Sequence, residues 1–243
     1  MITEQKSIEK KINQFIEAII FTGNVSVKIH SLLDETEIFR VLEKEFAKSK
    51  LYDMCIFLLT EDKSKLKIAA TSEFYRKNKT FKRIFGSRLK QFRVDLNQSN
   101  ICSQVVREEK TLNIKITDLL QEITPIMHDD LIKKVFGNHA KKVVMTPLYH
   151  GQKVMGIFEI RSISPIEQYV PLVKNFARQI SAALELAREH SERESVEETL
   201  RKSEEKYRGL FEEAMDAIFV ADAETGILLD CNRAALRLVG RKN

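Results

Sequence analysis

Residues Ser164, Pro165 and Glu167 place an N-cap serine, a proline at the first helical position and an acid at the third, a combination that starts a helix. From there Val173, Phe176, Ile180, Ala183 and Ala187 recur at three- and four-residue steps. After a charged interval Val196, Leu200, Tyr207 and Leu210 resume the pattern in a shifted register. The spacing predicts one helix from 165 to about 213. Helices in globular proteins average roughly 10–14 residues, and much longer ones are normally stabilised by a partner helix. A parallel homodimer is the expected partner arrangement, with Phe15, Ile19, Phe176, Ile180, Ala183 and Ala187 at its interface.

A second amphipathic pattern opens the chain. Ile8, Ile12, Phe15, Ile16, Ile19 and Ile20 predict a helix ending near the Thr-Gly-Asn of 22–24. Asp34 and Glu37 form an Asp-x-x-Glu cap ahead of Ile38, Phe39, Leu42 and Phe46, so a further helix is expected over about 35–48. Strand patterns follow at 54–60 and 66–71 as a hairpin, and at 92–96. Short helices are expected around Ile101 to Val106 and in "TDLLQEI". Two strands are expected on either side of the turn at 150–153. This mixture of helices and antiparallel strands is the α+β class.

Charge is unevenly spread. The formal net charge is +5, and between Glu73 and Asp95 eight Lys or Arg side chains stand against those two acids. Aromatic residues interleave with them, so segment 76–93 reads either as a helix packed on the sheet with its charges in water, or as a surface for nucleic acid or anionic membrane. Three cysteines, Cys55, Cys102 and Cys231, are widely spaced and contain no CxxC, which argues against a disulfide framework or structural zinc. No apolar run approaches the ~18 residues of a membrane span and the N-terminus has no signal-peptide core, so a cytoplasmic location is expected.

The order helix, helix, hairpin, helical insertions, hairpin, helix resembles a GAF domain over 32–188. It is carried by "LLDETEIFRVLEKEFAK", "VVREEKTLNI", "VVMTPLYHGQKVMGIFEI" (with Pro147, Leu148, Gly151 and Gly156) and "FARQISAALELARE". "SEEKYRGLFEEAMDAIFVADAETGILLDCNRAALRLVG" (203–240) resembles the beginning of a PAS domain, with Asp216 before a strand, Asp222 and Gly226 at the turn, and Asn232 beginning a helix. The resemblance implies an organisation of N-terminal dimerisation helix and connector (1–31), GAF-like core (32–164), signalling helix (165–202) and an incomplete PAS domain (203–243). It also implies the front part of a longer sensor protein, as in sensor histidine kinases, with PAS and kinase domains downstream and no catalytic domain in this chain.

GAF pockets lie on one sheet face, roofed by the elements between the central strands, here 102–137. The ligand candidates this implies are Cys102, Val106, His128 and Met145. The cofactor is left open. Haem would need an axial ligand, Cys102 or a histidine in or next to the roofing segment, His128, His139 or His150, of which His128 is the best placed. A bilin is disfavoured because Cys102 is followed by Ser103 rather than His, and the cyclic-nucleotide pattern is not recognisable. Cys102 also reads simply as a buried inert thiol. A thiol-dependent methionine sulfoxide reductase would need Cys55 and Cys102 to meet. His190, the only histidine of the long helix, lacks the proline that follows a phosphoacceptor motif.

Overall fold

The computed structural model describes residues 2–49, 52–72, 91–124, 142–162 and 169–240. The predicted basic helix within 73–90, the residues His128 and His139, and the Ser-Pro-x-Glu start signal lie outside them. The chain divides into two compact units, 1–189 and 190–243.

The first unit is built on one antiparallel sheet of six strands: β1 (Tyr52–Leu59), β2 (Lys65–Thr71), β3 (Arg93–Asp95), β4 (Leu112–Lys115), β5 (Lys142–His150) and β6 (Lys153–Ser162), in the order β3-β2-β1-β6-β5-β4. β1 and β6 are central and paired along their length from Tyr52↔Ser162 to Leu58↔Gly156. Gly156 is required there, because a Cβ at this position would lie 2.1 Å from the Phe57 carbonyl oxygen. β4 pairs with β5 through Leu112↔Met145. Sequence reading did not find this strand: Leu-Asn-Ile-Lys alternates apolar and polar residues, but over only four positions, at the lower limit of a period-2 signal.

Helices α1 (Ile2–His30), α2 (Glu35–Lys48) and the first half of α5 (Val170–Glu213) cover one sheet face. The α2 cap forms as predicted, with the Glu37 N–H donating to Asp34 Oδ1 at 2.7 Å. α1 does not stop at the Thr-Gly-Asn. The Thr22 hydroxyl donates back to the Ala18 carbonyl at 2.9 Å and the helix continues, because Ala18, Thr22, Val25 and Ile29 form a buried stripe that a break would destroy. The stripe visible in the sequence, Ile8 to Ile20, is a different face and is exposed.

Phe46, Phe158 and Phe176 pack as an aromatic cluster between these helices and the sheet, with Phe158 and Phe176 edge-to-face at 5.6 Å. Ser181 and Glu185 fasten α5 to the β5–β6 hairpin by accepting the N–H groups of Tyr149 (3.0 Å) and Gly151 (2.8 Å). Arg188 donates twice to Glu35 on α2, at 2.9 and 3.2 Å. One consequence corrects the expected interface. Phe176, Ile180, Ala183 and Ala187 are no more than 2% exposed inside their own protomer, consumed by the sheet, so no second chain can reach them. Phe15 and Ile19 remain partly exposed, although the Phe15 ring stacks on Tyr169 at 5.6 Å.

On the opposite sheet face lie α3 (Asn100–Arg107) and α4 (Ile116–Ile123), with Val105, Leu119 and Leu120 buried against the strands. In the second unit, the rest of α5 leads to β7 (Phe219–Ala221), β8 (Leu228–Cys231) and α6 (Arg233–Leu238). Gly226, at φ +69°, makes the turn, and buried Asn232 ties the hairpin to the helix. Its Oδ1 accepts from Ile218 and Ala235 and its Nδ2 donates to the Asp216 carbonyl, each at 2.9 Å. Among the described residues no helix is long and apolar enough to cross a membrane.

Candidate functional site

Strand alternation sorts β6 into two sets. Phe158 and Ile160 face α1, α2 and α5, while Ile157, Glu159 and Arg161 face α3 and α4. Antiparallel pairing places Thr71, Cys55, Glu159 and Met145 in one row across four strands, and Asp53, Arg161 and Val143 in the next. Glu159 and Arg161 form an ion pair, Oε1 to Nε 3.1 Å, with both side chains almost wholly buried. Asp53, half-buried beside Arg161, accepts from the Ser72 hydroxyl at 2.8 Å.

α3 is held over this floor by its cap. The Cys102 N–H donates to Ser99 Oγ at 3.2 Å, and Glu122 of α4 accepts from both Ser99 Oγ (2.8 Å) and the Ile101 N–H (2.9 Å). This brings three of the four sequence-predicted ligand residues into one cluster: Cys102 and Met145 are buried, and Val106 packs half-buried at its edge. His128, the fourth, lies outside the described residues. His150 is exposed at the end of β5. Of the basic segment only its end is described, where exposed Arg93 donates to the Phe92 carbonyl.

Sequence reading missed Asp53, Glu159 and Arg161. The signal was present in "IFEIRS", where charges at alternate positions of an apolar strand must share one face.

The first unit's topology can be set against known structures. A GAF domain from a phosphoenolpyruvate-protein phosphotransferase of Coxiella burnetii superposes with a TM-score of 0.51 at 11% identity, covering 72% of this chain and 97% of that one. The first unit has the GAF fold. The GAF domain of the Acinetobacter phosphoenolpyruvate-protein phosphotransferase gives 0.47 at 13% identity, with 71% and 93% covered. A free methionine-R-sulfoxide reductase from Neisseria meningitidis, in complex with its substrate, gives 0.46 at 12% identity with the same coverage. The PAS domain family matches residues 205–243. Among curated proteins, none matches this sequence.

Within the GAF unit the thiols are chemically quiet. Burial is the largest cause pushing Cys102 up to about 12, with Glu122 and Glu159 adding to it against the Ser99 hydrogen bond. Cys55, fully buried with Glu159 beside it, is likewise pushed well above the ordinary range. Because the thiolate is the nucleophile and the metal ligand, both groups are poorly suited to either role at neutral pH. Cys231, in the second unit, is partly exposed. A thiol reagent at neutral pH is therefore expected to modify Cys231 alone in the native chain, with Cys55 and Cys102 reacting only in denaturant. Equal rates at all three would show that the sheet face is open.

The helix-side face holds a cavity of about 20 Å³ between α1 and α5, lined in part by Ala18, Phe21 and Tyr169. That is room for about one water, far below the ~300 Å³ at which metabolite pockets begin.

Proposed function

We propose that the chain is the sensory and regulatory part of a signal-transduction protein of the sensor histidine kinase type. In this reading the GAF unit binds a small ligand on the Glu159 face, and α5 carries the effect of occupancy towards an output domain. The GAF fold and the PAS match together support a signalling or regulatory module.

The observation that carries the coupling is the two-sided pattern of α5 beyond the GAF core. Val196, Leu200, Tyr207 and Leu210 are 58–67% exposed and fall on the a and d positions of one heptad frame. Glu198, Arg201, Lys202 and Glu205 pair with one another on the opposite side of the helix. A helix with an ionic back and an uncovered apolar seam is built to lie against a partner. A second copy supplies the same seam in register. The interface then lies on residues the core leaves uncovered rather than on Phe176 to Ala187.

Sedimentation of the full chain at micromolar concentration tests this. The parent protein is expected to be a dimer, and Leu200→Glu is expected to dissociate it. GAF-unit stability should stay within about 0.5 kcal/mol of the parent, as for other exposed substitutions. A parent protein that sediments as a monomer throughout would remove the seam as an interface.

A further inference from the structure

We infer that α1 carries a self-association surface of its own, on which the α1 helix of a second copy of this chain crosses at Gly23. The surface lies within the GAF unit and is separate from the α5 seam.

α1 has a face that its own protomer does not use. Ala18, Thr22, Val25 and Ile29 turn inward, while Ile8, Ile12, Ile16, Ile19, Ile20 and Val27 stand 45–75% exposed. Gly23 falls on the same exposed stripe, four residues from both Ile19 and Val27. It belongs to the Thr-Gly-Asn at which the sequence pattern predicts the helix to end, yet α1 runs through it to His30. A glycine inside a helix is destabilising relative to alanine. Nothing in the protomer accounts for it, because a Cβ at Gly23 would meet no atom within 4 Å. A lipid surface does not account for it either, since glycine offers that surface no apolar side chain. A crossing helix does. The distance between packed helices is set by the side chains at their contact, and glycine lets a second backbone come close.

The crossing helix is an identical one because α1 holds both halves of the fit. Ile8, Ile12, Ile16 and Ile20 form a ridge at four-residue steps, and beside it the row Ile19, Gly23, Val27 is notched at its centre. Ridges of this spacing pack into one another's grooves at roughly 50°, the commonest helix crossing. In a two-fold pair Ile20 of each copy enters the notch at Gly23 of the other, so the fit is made twice. Charge permits the pairing. Glu17 is the one charged residue between Ile12 and Val27, and it lies about 100° round the helix from Ile16, so identical faces meet without opposing like charges.

The contact is small, a few half-exposed side chains per copy against the ~800 Å² per partner of a stable interface, so its dissociation constant alone is expected on the order of hundreds of micromolar. The test is sedimentation equilibrium of the full chain carrying Leu200→Glu, which takes the α5 seam out of the measurement. That protein is expected to be monomeric at micromolar concentration and to associate at hundreds of micromolar. Adding Gly23→Ala should move two readouts in opposite directions. The Tm should rise by about 2–4 °C, because alanine is the better helix former and its methyl meets nothing. Association should weaken roughly 10-fold, because the same methyl fills the notch. Ile20→Glu should abolish association and leave the Tm within about 2 °C.

A Leu200→Glu protein that stays monomeric at concentrations on the order of 1 mM would overturn the inference and leave the seam standing. Association that neither α1 substitution changes would overturn it as well. So would binding to phosphatidylcholine–phosphatidylserine vesicles that Ile20→Glu removes, with no association in solution, since the stripe would then belong to a membrane. A Leu200→Glu protein still dimeric at micromolar concentration, and monomeric once Ile20→Glu is added, would support the α1 contact and remove the seam.

Discussion

Gly156→Ala is expected to destabilise the GAF unit by upwards of about 3 kcal/mol, at or beyond the upper end of overpacking costs. The new methyl would lie 2.1 Å from the Phe57 carbonyl oxygen and about 3.1 Å from Leu58 Cα. Both are backbone atoms of β1, the strand that pairs with β6 on one side and β2 on the other. Relief requires two central strands to separate, with loss of ladder hydrogen bonds that no water replaces. Gly151→Ala is the control. Its φ of +57° imposes the left-handed penalty, yet the added methyl would meet only Glu185 Oε1 at 3.9 Å, so a cost of about 1–2 kcal/mol is expected. Urea unfolding followed by circular dichroism separates them. A Gly156→Ala protein within about 1 kcal/mol of the parent would show that β1 and β6 do not approach as described.

Phe176→Ala is expected to cost about 3–5 kcal/mol, the usual range for removing a buried phenyl ring. The ring is 2% exposed and touches Phe158 edge-to-face, with Phe46 6.2 Å away. This substitution also discriminates between two placements of the residue. In the core, its cost is independent of protein concentration and leaves association through Leu200 and Leu210 intact. At an interface, it would dissociate the chain while sparing the protomer. The expected result is a lowered urea midpoint that is the same at every protein concentration, and a midpoint equal to the parent's would contradict the packing of α5.

Much of the architecture was legible because local patterns carried it. The Asp34 cap, the hairpin of β1 and β2, the turn at Gly226 and the cap at Asn232 depend on residues only a few positions apart, and each forms where the local pattern predicts. The candidate site was half legible. Cys102 and Met145 lie in one buried cluster, but Glu159 and Arg161, the most polar part of that floor, went unread although their alternation marks them.

What the sequence by itself determined is the set of elements and their faces, because helix and strand periods are properties of neighbours along the chain. It specified that α5 is long, that α1 is amphipathic and that β6 carries charges on one side. Only the tertiary structure decided which apolar stripe meets which surface. α1 has two such stripes and α5 has two registers, and a periodicity has no way to label one as core and the other as free. The sheet made the choice: Val25 and Ile29 of α1 and Phe176 and Ile180 of α5 fit against β1, β5 and β6. Once that area is filled, Ile12, Ile19, Val196 and Leu200 are left facing outward.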